Sequence, residues 1–274
     1  MSETTVAQAA ASDANALPEP SVLLSIENGI AVITLNRPKA HNAIDMSLAE
    51  GFAEAIADVA QRDDAEVIVI TGTGKAFSTG GDVLAMSEAP DRALFLATLA
   101  TTMHDALAVL ATLPKVTIVA VNGIVAGAGL GIMLAGDLVI ASEKATFSSA
   151  YAGLGLTPDC GVTANLPRSI GLHRALELTV GGRRIAAAEA RTWGLVSEVV
   201  PPGTCLDRAM ELARLTLSRA PAALGQTRVM LRASMEHDFR SSLAAEVATL
   251  VTRSESTESQ TLIGRFTDAR AARG

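Results

Sequence analysis

Twice in this chain a short, uninterrupted apolar run gives way to a cluster of glycines and then to helix-like periodicity. The first run covers residues 67–71 and leads into the loop 72–82; the second, Val116–Val121, leads into Asn122, Gly123 and then Gly127, Gly129 and Gly131. A run that short, with no polar alternation, fits a strand covered on both faces, as in a parallel sheet. A third apolar run at 137–141 follows closely, and residues 46–60 and 91–112 carry apolar residues at helical spacing. Strands that alternate with helices in this way specify an α/β fold with right-handed crossovers.

Around this centre, residues 22–27 and 30–35 are β-rich and are separated by Asn28-Gly29, a strong hairpin signal. Beyond Pro201-Pro202 the pattern changes: 205–218, 222–235, 241–252 and 258–272 all read as helices. The expected organisation is a tail at 1–20, an α/β core at 21–202 and a helical region at 203–274 that packs on the core or on another subunit. The tail is rich in Ala, Ser and Pro without periodicity.

Composition narrows the function classes. Aromatic residues are 3% of the chain and hydrophobic residues 49%, so the core must be built mainly from Ala, Val, Leu and Ile. The formal charge of −7 speaks against a nucleic-acid partner. No run approaches the roughly 18 uninterrupted apolar residues of a membrane span, and no secretory pattern opens the chain. Cys160 and Cys205 form neither a disulfide framework nor a metal-ligand spacing, which leads us to expect a reducing cytoplasm and no metal.

Nucleotide readings of the glycine loops fail on single residues. A P-loop ending at Gly74-Lys75 needs glycine at 69 and Ser or Thr at 76, where Val69 and Ala76 stand. A dinucleotide fingerprint beginning at Gly127 and Gly129 needs glycine at 132, where Ile132 stands. Two readings remain. The glycines either permit tight turns and close helix packing, or they let two backbone N–H groups converge on one oxygen and stabilise an oxyanion.

The ordered segments Asn36-Arg37-Pro38-Lys39-Ala40-His41-Asn42, Gly74-Lys75-Ala76-Phe77-Ser78-Thr79-Gly80-Gly81-Asp82 and Val121-Asn122-Gly123-Ile124-Val125-Ala126-Gly127-Ala128-Gly129 resemble the enoyl-CoA hydratase/isomerase (crotonase) family. So do Gly181–Ile185 and Trp193-Gly194-Leu195-Val196, and the resemblance runs over roughly residues 21–270. It implies a spiral of ββα units, an acyl-CoA substrate, no further cofactor, and a trimer or dimer of trimers joined by the C-terminal helices. It also implies that the N–H groups of Ser78 and Ala128 form the oxyanion hole. Lys39, Ala40, His41, Ala76, Gly80, Gly81, Asp82 and Val83 would line the CoA channel, with Gly127 and Tyr151 also against substrate.

The chain departs from the hydratases of that family at both glutamates. Gly131 and Tyr151 stand in those places, and a phenol with a pKa of about 10 is a poor base at neutral pH. A carboxylate does occur nearby, in Pro158-Asp159-Cys160-Gly161, where isomerase branches of the family carry a lone acid. Asp159 would then move a proton from C2 to C4 of a 3-enoyl thioester. The same residues read equally as a helix start, with Asp159 supporting the first turn. The rivals are a hydratase or other CoA-thioester conversion using a different carboxylate, and a non-catalytic acyl-CoA-binding protein. His104, in an apolar helical stretch, is expected to be structural, as are His173 and His237; Asp82 reads as a helix N-cap.

Overall fold

The computed structural model describes residues 19–272. The expected tail at 1–20 lies almost wholly outside them. The chain opens with a hairpin, β1 (Val22–Glu27) and β2 (Gly29–Leu35). Its turn has Asn28 at φ 51° and Gly29 at φ 83°, the two left-handed residues that a tight hairpin turn requires. Helix α1 (Met46–Gln61) then leads to β3 (Ala65–Gly72) and the short β4 (Ala76–Ser78). After α2 (Val83–Glu88) and α3 (Arg92–Thr112) come β5 (Val116–Val121), β6 (Ile124–Ala126) and α4 (Ala128–Leu134).

The pattern repeats in β7 (Leu138–Ser142) and β8 (Thr146–Ser148), followed by α5 (Val162–Ile170) and α6 (Leu172–Thr179). It closes with β9 (Arg184–Ala186), α7 (Ala187–Trp193) and β10 (Glu198–Val200). The long strands form one six-stranded sheet in the order β1-β2-β3-β5-β7-β10, parallel from β2 onward. Their short successors form a second sheet, β4-β6-β8-β9. Each turn of the chain thus lays one strand in each sheet before its helix, which is the ββα spiral that the resemblance implied.

The apolar runs are explained by burial on both faces. In β3, Ile68 and Ile70 join the main core with α1 and α3. Val67 and Val69 face the opposite side, with Ala209 and Ala213 of α8 (Cys205–Leu217). The C-terminal region therefore supplies one wall of the sheet. In α9 (Pro221–Ala233), the buried Arg228 donates to the Leu110 carbonyl at 3.0 Å and pairs with Asp137 at 2.7 Å. Asp137 also pairs with Arg232 and accepts the Thr117 N–H at 2.8 Å. Asp137→Ala should lower unfolding free energy by about 3–5 kcal/mol, because it strands a buried guanidinium; urea denaturation with an unchanged m-value would measure this. A loss below 1 kcal/mol would refute it.

The last two helices, α10 (Phe239–Ser254) and α11 (Thr257–Ala271), bury no residue and expose Phe239, Leu250 and Phe266. Helix α3 has the length and hydropathy of a membrane span, with a mean hydropathy of 1.6. Its buried residues, Leu99, Met103, Ala106 and Leu110, instead form one core-facing stripe, while Thr98, Thr101, His104 and Asp105 interrupt the rest.

Candidate active site

The segment before α1 acts as a clamp on the first glycine loop. Arg37 pairs with Asp45 at 2.9 Å and with Asp82 at 3.0 Å. Asn42 is fully buried at φ 53° and donates its side-chain amide to the carbonyls of Thr73 (3.0 Å) and Ala76 (2.8 Å). Ile44 donates to the Gly80 carbonyl at 2.8 Å, and Asp82 donates back to Ile44 at 2.9 Å. Asp82 also caps α2, its carboxylate accepting from the N–H groups of Leu84 and Ala85, as its sequence position suggested. Arg37 and Asn42 were not singled out as site residues. A buried, hydrogen-bonded asparagine in a glycine-rich neighbourhood is visible only once the loops are brought together.

The two glycine loops touch. A Cβ placed on Gly80 would lie 2.9 Å from the Ala128 nitrogen, and one on Gly129 would overlap the Ser78 carbonyl oxygen. Glycine is therefore required at both places for β4 and the start of α4 to approach. Gly127 is the N-cap of α4 at φ 52°, so the Ala128 N–H opens the helix without an intrahelical partner.

Beside this junction lies a cavity of about 560 Å³. Its walls are apolar, with Met86 from α2 and Leu96, Leu99 and Met103 from α3 opposite Leu154 and Leu156. Gly127, Ala128, Tyr151 and Asp159 close one end. Of the residues expected against substrate, Gly81, Val83, Gly127 and Tyr151 line this cavity. Lys39, Ala40, His41, Ala76, Gly80 and Asp82 do not. Lys39 and Ala40 form a single helical turn, Pro38–Ala40, and His41 follows at φ 53° with an exposed side chain.

Ser78 is fully buried, one residue behind the lining residue Thr79; its hydroxyl donates to the Asn42 carbonyl at 2.8 Å. Two regions could set the depth of the pocket, residues 87–99 and the last helices. The first contribute Leu96, Ala97 and Leu99; among the described residues the C-terminal helices contribute none.

At the closed end, the Tyr151 hydroxyl donates to Asp159 Oδ1 at 2.6 Å. Burial first, and then the Asp159 charge, push the phenol pKa upward, so Tyr151 is a donor here and not a base. The Cys160 thiol is pushed up for the same two reasons. The helix-start reading of Asp159 is not realised. Helix α5 begins at Val162 behind Gly161 at φ 74°, without a side-chain cap, and the Asp159 carboxylate meets Tyr151 instead.

Gly131 is occupied ground: a Cβ there would lie 2.3 Å from the Cys160 carbonyl oxygen. No glutamate fits at 131 while the Asp159-Cys160 turn stays where it is. His104, expected to be structural, comes to the same turn and accepts the Cys160 N–H on Nε2 at 3.0 Å. His173 and His237 are exposed. Side-chain atoms of His104, Asp159 and Cys160 gather within 4.8 Å, a grouping that their spacing in the chain did not announce. The Cys160 N–H already occupies the Nε2 lone pair.

A family profile described as enoyl-CoA hydratase/isomerase matches residues 25–273. The 1,2-epoxyphenylacetyl-CoA isomerase of Escherichia coli is 36% identical over 209 residues, spanning 74% of this chain and 79% of that protein. The 2,3-dehydroadipyl-CoA hydratase of the same organism is 34% identical over 225 residues, 82% of this chain and 87% of that one. Among solved structures, the enoyl-CoA hydratase of Bacillus anthracis superposes with a TM-score of 0.86 at 27% identity, covering 91% of this chain and 96% of its own.

Proposed function

The chain belongs to the enoyl-CoA hydratase/isomerase family, and from that premise we propose that it moves the double bond of an enoyl-CoA, with Asp159 as the single acid–base. One observation carries this reading. Asp159 is the only carboxylate among the described residues lining the apolar cavity, and it stands there with the Ala128 amide. The hydratase arrangement needs two carboxylates, and this chain has a glycine pressed against Cys160 at one place and a phenol at the other.

In the proposed cycle the thioester carbonyl of a 3-enoyl-CoA accepts hydrogen bonds from the N–H groups of Ala128 and Ser78. Asp159 takes the C2 proton. The C–H electron pair becomes part of a dienolate whose negative charge rests on the thioester oxygen. The protonated Asp159 returns the proton to C4, the double bond settles between C2 and C3, and no atom is gained or lost. No cofactor beyond the coenzyme A of the substrate enters the cycle. Because Ser78 is buried, the reading requires the wall at Thr79–Gly81 to open when the thioester enters. The flexible Met86 side chain, which lies over Gly81, is the part best able to move.

Incubation with cis-3-enoyl-CoA tests the proposal. Conjugated 2-enoyl-CoA should appear with no mass change. A product heavier by one water would instead establish a hydratase, and tight binding of the ester without turnover would establish a non-catalytic member. The exposed apolar residues of α10 and α11 support a second element of the reading, that these helices join subunits in a trimer or dimer of trimers. Light scattering should show such an assembly; a stable monomer would refute it.

A further inference from the structure

The turn that presents Asp159 is conformationally demanding. Cys160 sits at φ 49° and Gly161 at φ 74°, so two successive residues are left-handed and one of them carries a side chain. Such a backbone persists only where its surroundings hold it. Three contacts do so. Tyr151 holds the carboxylate, the bare Cα of Gly131 leaves room for Cys160, and His104 accepts the Cys160 N–H. The last of these reaches across 56 residues from the middle of α3.

Resting on the reading of Asp159 as the acid–base, we propose that His104 is a positioning residue: its neutral Nε2 pins the Cys160 N–H and so fixes the turn that aims Asp159 into the acyl cavity. With Nε2 accepting, the ring carries its proton on Nδ1. A second proton on Nε2 would set one N–H against another and release the turn. The ring is within reach of solvent protons. It is exposed and lines a separate cavity of about 330 Å³ that shares Cys160 with the acyl cavity.

The charged and titratable groups gathered with it are Asp159 and Cys160 from the turn and Arg232 from α9. Arg232 is already paired with Asp137.

His104→Gln and His104→Leu separate positioning from mere packing. Glutamine keeps an uncharged acceptor that does not titrate, and leucine keeps only bulk. His104→Leu should lower kcat about 10- to 100-fold, as displacing a reacting group by an ångström does, and should leave KM within about twofold. His104→Gln should keep most of kcat, because it keeps an acceptor for the Cys160 N–H. Equal rates in all three proteins would overturn the proposal.

Exchange of the Cys160 amide hydrogen is read alongside, because it does not depend on turnover. It should be about tenfold faster in His104→Leu and unchanged in His104→Gln, the size expected for one hydrogen bond. Should the wild type isomerise nothing, the Asp159 reading fails. The same exchange measurement still decides whether His104 pins the turn, and equal exchange in all three would overturn that as well.

Discussion

Asp159→Asn should lower the rate of 3-enoyl- to 2-enoyl-CoA conversion by about 10²- to 10⁴-fold, the usual worth of a positioned acid–base. Asparagine is nearly the same size and can still accept from the Tyr151 hydroxyl, which lies 2.6 Å from the aspartate oxygen. The turn and the cavity should therefore survive, and KM should change little. The loss should fall on kcat, because proton transfer and not binding has been removed. Neither neighbour can take over. Burial, the largest cause of the upward shift in both, still holds the Tyr151 phenol and the Cys160 thiol in their protonated forms once the carboxylate is gone. Steady-state kinetics followed by conjugated-thioester absorbance, with circular dichroism as the control for folding, decide the matter. A variant with wild-type kcat would remove Asp159 from the mechanism.

The second large effect concerns the acyl group. The cavity wall is built from Met86, Leu96, Leu99, Met103, Leu154 and Leu156, and among its described residues there is no Lys, Arg or His. An acyl chain ending in a carboxylate would enter that space without a cation to meet it, and its only charged neighbour would be Asp159. Desolvation of an unpaired ion costs several kcal/mol even after relaxation. An enoyl-CoA with an ω-carboxylate should accordingly fall about 10²- to 10³-fold in kcat/KM below the uncharged ester of equal length, at 1.36 kcal/mol per factor of ten. The comparison needs only the two esters and the wild-type protein. Equal kcat/KM values would mean that the acyl chain lies somewhere other than this cavity.

Local information determined much of the architecture. The Asn28-Gly29 turn, the apolar runs that became β3 and β5, and the periodicity that became α1 and α3 are each set by nearby residues: by φ > 0 at two turn positions, by two-sided burial, and by a stripe facing the core. The ordered motifs likewise placed the chain in its family before any coordinate was known. The three-residue strands β4, β6 and β8 were not legible, because pairs that short are stabilised by partners distant in the chain and not by their own pattern.

The site divides in the same way. Gly127, Ala128 and Asp159 could be named from motif positions, and Asp82 could be named as a cap. Only the tertiary structure shows that α5 starts at Val162 without a side-chain cap and that the Asp159 carboxylate meets Tyr151. Only it revealed that Cys160 fills the space beside Gly131, that Ser78 lies behind the cavity wall, and that His104 reaches the turn from another helix. Those facts depend on which groups meet after the spiral closes. Their distances are set by packing across tens of residues, which no local pattern of propensity or spacing encodes.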